Sequence, residues 1–260
     1  RYLYHVLDKQ EISDAALDSL KHELYQLEKF YPEFLTPDSP TQRVGGEPLK
    51  GFQKVAHEFP MLSIEEIFSE KELADWEVYL KKLGTREKID YFCEPKIDGF
   101  AISLVYQDGV FKTGSTRGSG TIGEDVTQNL KTIESIPLRL GSDPRGGSDP
   151  KRVIEVRGEV YMEKKDFERF NQEQTKRSLS PFANPRNLAA GSIRQLDSKV
   201  ASQRPLKFLA YSLITDLGQK KHSEEHQILK DLGFKTYPGK ECQSLSDILD
   251  FWREMVRKRD

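Results

Sequence analysis

Apolar residues near the N-terminus recur at the spacing of one helix face. The four leucines concerned are Leu17, Leu20, Leu24 and Leu27. Ser13 or Asp14, just before them, can accept a hydrogen bond from the first turn and so cap the helix. The pattern therefore predicts an amphipathic helix that begins near residue 14. Turn-forming residues dominate positions 36–46, which indicates a linker after this helical unit.

The middle of the chain carries the patterns of β-strands. Apolar stretches at 101–106 and 110–113 flank an Asp-Gly pair at 108–109, which is typical of a tight hairpin turn. Further strands are predicted at 153–162 and 206–214. Three charged residues share one face of the first of these, namely Glu155, Arg157 and Glu159. Alternation places them together, and such a face is usually solvated.

Helix signals recur in the second half of the chain. Asn184 and Pro185 are typical of an N-cap and a first helical position, and Gly233 is typical of a helix C-terminus. A last helix is predicted from about residue 246. We expect it to bury five apolar residues: Ile248, Leu249, Trp252, Met255 and Val256. The segment 141–150 repeats Ser-Asp-Pro and is predicted to be an exposed loop.

The composition is that of a well-solvated globular protein. Of the 260 residues, 36% are apolar and 32% are charged, and the net charge is −2. No apolar run approaches the ~20 residues of a membrane span and no signal peptide is visible, so we expect a cytoplasmic protein without a membrane partner. Cys93 and Cys242 are too few for a cysteine zinc site or a disulfide framework. Because bulk charge is near zero, contact with nucleic acid must come from local basic patches.

The candidate chemistry centres on the segment Cys93–Gly99, in which Lys96 stands between Glu94 and Asp98. One interpretation is an exposed ion pair of little consequence. The other is a nucleophilic lysine, which needs a neutral amine that the two carboxylates oppose. Desolvation, a metal or nearby cations would have to offset the carboxylates. Three arginines elsewhere in the chain are candidates for that role: Arg117, Arg186 and Arg194.

The run Cys-Glu-Pro-Lys-Ile-Asp-Gly at 93–99 and the run at 182–197 together resemble the NAD-dependent DNA ligases of bacteria. The shorter Lys-x-Asp-Gly motif is shared by DNA ligases, RNA ligases and messenger-RNA capping enzymes. The resemblance implies an α+β fold in two parts. Residues 1–50 are expected to form a small helical domain that binds nicotinamide mononucleotide, together with its linker. Residues 51–260 are expected to form a nucleotidyltransferase domain, ATP-grasp-like with mainly antiparallel sheets and helices, and incomplete at its C-terminus.

The resemblance also implies a set of site residues. Lys96 is the implied nucleophile, and Asp98 is implied to orient the ribose or hold a metal through water. The nicotinamide half of NAD is expected to bind four residues: Tyr4, His5, Asp14 and Asp18. The adenylate half is expected to bind Ser63, Glu94, Arg117, Glu159, Arg186, Arg194, Tyr211 and Arg259. Within that set Tyr211 is implied to stack on the adenine, and no residue is assigned as a direct metal ligand.

The residues alone leave plainer interpretations open. The acids at the start of the first helix can complement its dipole. Tyr211 can be a core aromatic, and Arg186 and Arg194 can lie on a solvated helix. The sequence also departs from the family pattern. Leu17 and Ser119 replace a usual tyrosine and a usual aspartate.

The reaction implied by the resemblance is attack by Lys96 on the α-phosphorus of NAD. It releases nicotinamide mononucleotide and leaves AMP on the lysine. In the complete enzyme the AMP would pass to the 5′-phosphate of nicked double-stranded DNA, in replication and repair, with Mg²⁺ bound alongside the nucleotide. We expect a monomer. Two alternatives stay open: a non-catalytic NAD-binding fragment, and a Schiff-base enzyme that uses Lys96 on a carbonyl substrate, which the arginines do not favour.

Overall fold

The computed structural model describes residues 3, 6, 9–44, 48–84, 89–141 and 152–258, without the side chain of Asp14. Tyr4, His5 and Arg259 lie outside the described residues, as does nearly all of the Ser-Asp-Pro loop. The expectations placed on them therefore stay predictions.

Helices and strands are mixed along the described chain. The strands are β1 (Lys54–Ala56), β2 (Tyr91–Cys93), β3 (Phe100–Gln107), β4 (Val110–Thr116), β5 (Ile122–Glu124), β6 (Val153–Tyr161), β7 (Lys207–Leu213) and β8 (Lys240–Cys242). The helices are α1 (Asp14–Phe30), α2 (Glu70–Lys82), α3 (Thr127–Lys131), α4 (Lys164–Lys176), α5 (Pro185–Ile193), α6 (Ser198–Ser202), α7 (His222–Asp231) and α8 (Leu245–Lys258). All named strand pairs are antiparallel, which confirms the predicted α+β class.

The first helix forms where the leucine spacing predicted it. Ser13 is its N-cap, because the Ser13 hydroxyl accepts a hydrogen bond of 3.2 Å from the Ala16 N–H. Leu20 and Leu27 stay about half exposed. Two short 3₁₀ turns follow, at Pro32–Phe34 and Pro40–Arg43. This stretch contacts the rest of the molecule through the linker and through Lys21, whose ammonium lies 3.9 Å from the Glu134 carboxylate.

Arg43 anchors that linker to the core. Its side chain is buried, and its guanidinium donates hydrogen bonds of 2.8–3.0 Å to the carbonyls of Lys131, Ile133 and Ile136. Lys131 is the last residue of α3 and the other two carbonyls follow it, where a helix end leaves backbone acceptors without partners of its own. The arginine therefore adds a hydrogen bond to each of three carbonyls, of which that of Ile133 also accepts one from the Ile136 N–H.

A four-stranded sheet in the order β4-β3-β6-β7 forms the centre of the molecule. The predicted hairpin joins β3 to β4, and its turn residues Asp108 and Gly109 have φ of 53° and 74°. Positive φ at both positions gives the turn a twist that matches the flanking strands. Helix α5 packs on β3 and β6, and α7 packs on β7. Fully buried side chains such as Leu104 and Phe208 fill the space between, each contributing about 1.5–3 kcal/mol to folding.

The charged face of β6 is not solvated, so that prediction was wrong for two of its three residues. Glu155 and Arg157 are both 7% exposed. The Arg157 Nε donates to Glu155 at 2.8 Å, and its Nη1 donates to the Pro60 carbonyl at 2.9 Å. The segment that follows β1 crosses this face and covers it. A buried ion pair with added hydrogen bonds fixes that segment to the sheet.

The last helix buries less than its apolar residues predicted. Phe251 is its buried residue, whereas Trp252 and Val256 are 59% and 45% exposed, so the prediction for those two was wrong. The helix packs against β2, β8 and α2 along one side only. Among the described helices, none combines the length and the apolar character that crossing a membrane requires.

Candidate active site

The segment that carries Lys96 connects the ends of two sheets. It follows β2, which pairs with β8, and it leads into β3 of the central sheet. Gly99 lets it lie against β6, because a Cβ at that position would stand 2.2 Å from the Val160 carbonyl oxygen. Lys96 and Asp98 are exposed. The segment therefore presents its polar side chains at the edge of the sheet rather than inside the core.

A cleft of about 960 Å³ opens beside this segment. Eight of the predicted site residues line it: Ser63, Glu94, Lys96, Arg117, Glu159, Arg186, Arg194 and Tyr211. They come from loops and elements that are far apart in the sequence. Asp98 joins them indirectly, because its carboxylate lies 3.3 Å from the Arg186 guanidinium. The structure thus brings together nearly all of the residues proposed for the adenylate half.

Six basic residues line the cleft, and four of them are predicted site residues: Lys96, Arg117, Arg186 and Arg194. Arg186 forms its ion pair with Asp98, and Arg194 lies 3.1 Å from Glu124. Within the described part of the chain, neither Lys96 nor Arg117 has a salt bridge. All of these groups are solvent-accessible, so their ion pairs are weak and can exchange partners. The arrangement suits an anionic ligand that carries more than one charge.

Glu159 is the carboxylate most affected by its surroundings. Burial raises its pKa from an ordinary value of 4.5 to about 7, although the nearby Lys96 and a hydrogen bond from the Gly99 N–H act in the opposite direction. Because Glu159 follows the buried Arg157 by two residues on β6, alternation places both on the cleft side of the sheet. A carboxylate held in this state binds a proton or a cation readily.

Tyr211 owes its position to a β-bulge. Arg157 pairs with Ser212 and Gly158 pairs with Ala210, so Tyr211 has no partner in the register. Bulges re-aim side chains next to active sites. Burial, with the negative charge of Glu159 as a second cause, raises the pKa of Tyr211 to about 12. The side chain is therefore a neutral aromatic surface at the wall of the cleft.

The segment that contains Ser63 is held against the loop after β4. The His57 ring nitrogen Nε2 lies 3.1 Å from the Thr116 carbonyl oxygen, and the Met61 N–H donates to the Gly120 carbonyl at 2.8 Å. Gly118 in that loop has a φ of +54°, and a Cβ there would stand 2.0 Å from the Ile122 carbonyl oxygen. The glycine permits the tight turn that places Arg117 at the cleft.

Two histidines that the sequence analysis missed stand behind Glu94. His226 Nε2 is 2.9 Å from Glu94 Oε2, and His222 Nε2 is 3.8 Å from Glu94 Oε1. Burial alone would raise the pKa of Glu94, but the two imidazoles outweigh it and lower that pKa to about 2. Contacts with Glu225 and then Glu94 raise the pKa of His222 to about 9. The only sequence signal was the His-x-x-x-His spacing on α7, and nothing local connects it to Glu94.

Asp18 does not reach the cleft. Its carboxylate is exposed on α1 and pairs with Lys21 at 3.7 Å. Leu17, one residue earlier, is partly buried. Since Tyr4, His5 and the side chain of Asp14 are outside the described residues, the structure leaves the nicotinamide half of the site as a prediction.

The sequence matches two family models. Residues 49–260 match the NAD-dependent DNA ligase adenylation domain, and residues 1–45 match the DNA ligase-like, N-terminal NAD+-binding domain. The boundary between the two matches falls in the linker that follows Arg43.

Curated relatives with the name DNA ligase match the chain almost from end to end. The protein from Anoxybacillus flavithermus is 48% identical over 262 residues, which cover 99% of this chain and 37% of that ligase. The relatives from Halothermothrix orenii and Acetivibrio thermocellus are 46% and 49% identical and cover 100% and 98% of the chain. The chain spans 37–38% of the length of these three relatives. The chain therefore belongs to the NAD-dependent DNA ligase family, and its residues from 49 onward correspond to the adenylation domain.

Proposed function

We propose that this chain carries out the self-adenylation step of an NAD-dependent DNA ligase, with Lys96 as the nucleophile. The neutral Nζ attacks the α-phosphorus of the AMP half of NAD and forms a P–N bond. The P–O bond to the bridging oxygen of the pyrophosphate breaks, and nicotinamide mononucleotide leaves with that oxygen. The ammonium proton is lost to solvent or to a nearby carboxylate. The product is AMP held on Lys96 as a phosphoramidate.

The single observation that carries this proposal is the charge arrangement of the cleft. Among the described residues the exposed Lys96 has no salt bridge, and it lies in one cleft with Arg117, Arg186 and Arg194; the last two pair only with carboxylates that are at least partly exposed. Transfer of a phosphoryl-type group depends mainly on positioning and on neutralising charge on the phosphate oxygens. The arginines supply both, since a guanidinium can hold a phosphate through two parallel hydrogen bonds. A neutral carbonyl substrate would have no use for them.

Two wall residues suit the adenosine part of the substrate. Tyr211 offers a neutral aromatic face, against which an adenine ring can stack. Glu94 lines the same cleft as an anion, and a carboxylate can accept a hydrogen bond from the exocyclic amine of adenine. Glu159 lines the same cleft, close enough to Lys96 and Tyr211 for their charges to interact, and its carboxylate could accept a hydrogen bond from a ribose hydroxyl.

The carboxylates near Lys96 also fit a magnesium ion. Mg²⁺ prefers oxygen ligands and keeps several of its waters, so one or two carboxylates suffice for it. Glu159 and Asp98 would hold it, and the raised pKa of Glu159 shows a buried carboxylate whose charge the protein does not fully offset. When bound, the ion would supply positive charge to the phosphate oxygens.

Nick sealing belongs to the whole ligase in this proposal. The AMP on Lys96 would pass to the 5′-phosphate of a nicked duplex, and the 3′-hydroxyl would then displace it. Nicked double-stranded DNA is accordingly the proposed partner of the full-length protein.

Incubation with NAD and Mg²⁺, followed by intact-mass measurement, tests the first step. We expect the mass to rise by one AMP, the adduct to be acid-labile, and peptide mapping to find it on Lys96. Lys96→Ala and Lys96→Arg should both abolish the adduct, because guanidinium stays protonated and is no nucleophile. Lys112→Ala, at an exposed position of β4 away from the cleft, is the matched control and should keep it. An adduct that survives either Lys96 variant would move the nucleophile elsewhere.

A further inference from the structure

The cluster behind Glu94 contains the donor set of a transition-metal site. His222 and His226 lie one turn apart at the start of α7, so both imidazoles face the same side of the helix. Glu94 directly follows β2, and its carboxylate faces both imidazoles. One donor atom from each of the three residues can be chosen so that all lie within 4.8 Å of one another. Two imidazoles and a carboxylate are ligands that zinc-class ions accept.

The distances are close to those that an ion needs. A tetrahedral zinc with bonds of about 2.0–2.1 Å holds its ligand atoms roughly 3.3 Å apart. In the structure the two imidazole Nε2 atoms are 2.9 Å and 3.8 Å from the Glu94 oxygens, on either side of that value. Since the donor atoms of the set lie within 4.8 Å of one another, side-chain movements on the order of 1 Å would bring them to the spacing of a zinc site.

The state of His226 is a second and independent observation. Its side chain is 5% exposed, yet neither ring nitrogen makes a well-aligned hydrogen bond to any described residue. The 2.9 Å contact with Glu94 is close, but it lacks the geometry of a hydrogen bond. Nε2 keeps the Glu94 carboxylate as its ion-pair partner, whereas the buried Nδ1 has no hydrogen-bond partner among the described residues; buried polar atoms are nearly always satisfied, so this imidazole would gain from binding an ion. The Phe92 ring packs 4.9 Å from the His226 ring and shields it from water.

An outer partner already orients the other imidazole. His222 Nδ1 lies 3.3 Å from the Glu225 carboxylate, and Glu225 is itself held by the Leu213 N–H at 3.2 Å. A carboxylate on one ring nitrogen orients the ring, and an ion that binds the other nitrogen would displace the proton that His222 carries at neutral pH. Nε2 of His222 is the nitrogen that faces Glu94. This is the arrangement found around histidines that bind zinc.

We propose that Glu94, His222 and His226 form a binding site for a zinc-class divalent cation, with water or a ligand atom in the fourth position. Because Glu94 also lines the cleft, an ion held on its far side would compete for the carboxylate that faces the substrate. The site would thus make NAD binding sensitive to zinc.

Metal titrations of the chain in the absence of NAD test this site independently of its catalytic function. We expect one equivalent of Co²⁺ to bind with the strong visible absorption of a tetrahedral complex, and Zn²⁺ to displace it. His226→Leu and His222→Leu should each weaken Zn²⁺ at least about 100-fold in calorimetry. His22→Leu, at an exposed histidine of α1, is the matched control and should bind as the wild type does.

Three results would overturn the proposal. The first is no saturable binding in the wild type, which would mean that the three residues form an ion-pair network only. The second is tight binding that persists in both cluster variants. The third is loss of binding in the His22 control alone. Circular dichroism and thermal midpoints check that each variant folds. If a histidine variant does not fold, Glu94→Gln decides the question, because the amide keeps the shape and removes the charged ligand. Added NAD should weaken Zn²⁺ binding in the wild type. Unchanged Zn²⁺ affinity would show that the metal site and NAD binding are not coupled.

Discussion

Replacing Glu159 by glutamine should change the pH dependence of stability. The pKa of this carboxyl is 4.5 ordinarily and about 7 in the folded protein, because burial disfavours its charged form. Between those two values the unfolded chain ionises and the folded chain does not. The protonated form therefore favours folding below about pH 4.5, and that contribution is lost as the pH rises through about 7. Glutamine, which does not titrate, removes the effect.

The structure sets the size of the expected change. The difference between the two pKa values corresponds to at most about 3 kcal/mol, at roughly 1.4 kcal/mol per pKa unit. Water in the cleft screens part of that cost, so we expect about 1–3 kcal/mol. The variant should be close to the wild type in free energy of unfolding at pH 5. Relative to the wild type it should become progressively more stable up to pH 8.

Urea denaturation at pH 5, 6, 7 and 8, without NAD or metal, measures this difference. Glu168→Gln is the matched control, because it removes an exposed carboxylate of α4 that faces solvent. The control should show no comparable rise with pH. A difference between wild type and Glu159→Gln that stays flat or declines over this range would refute the argument from burial.

Three further predictions concern single substitutions at Gly99, Arg43 and Leu17. Gly99→Ala should lower both the thermal midpoint and the adenylation rate at least tenfold, because its Cβ would stand 2.2 Å from the Val160 carbonyl oxygen; a wild-type rate would contradict this. Arg43→Leu should cost about 2–4 kcal/mol in urea unfolding, since it removes three hydrogen bonds and leaves the Ile136 carbonyl without its partner; a cost below about 1 kcal/mol would show that water replaces the arginine. Leu17→Tyr should tighten NAD binding several-fold by stacking on the cationic nicotinamide ring. Unchanged affinity with a lower thermal midpoint would instead place Leu17 in the helix packing.

Local patterns were enough to predict the hairpin, the strands β6 and β7, and the helices α1, α5, α7 and α8. The hairpin between β3 and β4 depends on an Asp-Gly turn, and α5 depends on the cap at Asn184, so each is determined by adjacent residues. The same holds for α1 and its cap at Ser13. The site residues around Lys96 could not be predicted from local patterns alone. They came from the family resemblance, and the structure brings them into one cleft without testing their individual roles.

Features that depend on distant partners could not be predicted. Nothing near Arg157 in the sequence shows that the Pro60 segment will cover it, so a solvated face was the natural expectation. The bulge at Tyr211 is a matter of register between two strands. The exposure of Trp252 depends on how little of the molecule lies beside α8. In each case the residue pattern predicted the strand or helix correctly. It could not show which distant segment packs against that element.

The ion pairs of the cleft suggest how ligand binding and metal binding can be coupled. Arg186 holds Asp98, and Arg194 holds Glu124, so the two arginines are neutralised before a ligand arrives. A phosphate that takes over either guanidinium must displace a carboxylate. The carboxylate of Asp98, once released from Arg186, lies near Lys96 and can bind a metal ion instead. Partner exchange of this kind costs little, because exposed pairs are worth about 0–1 kcal/mol. Arg186 and Arg194 would then bind the phosphate groups of the substrate, and the released carboxylates would bind its metal ion. All of these side chains already line or adjoin the cleft before the substrate binds.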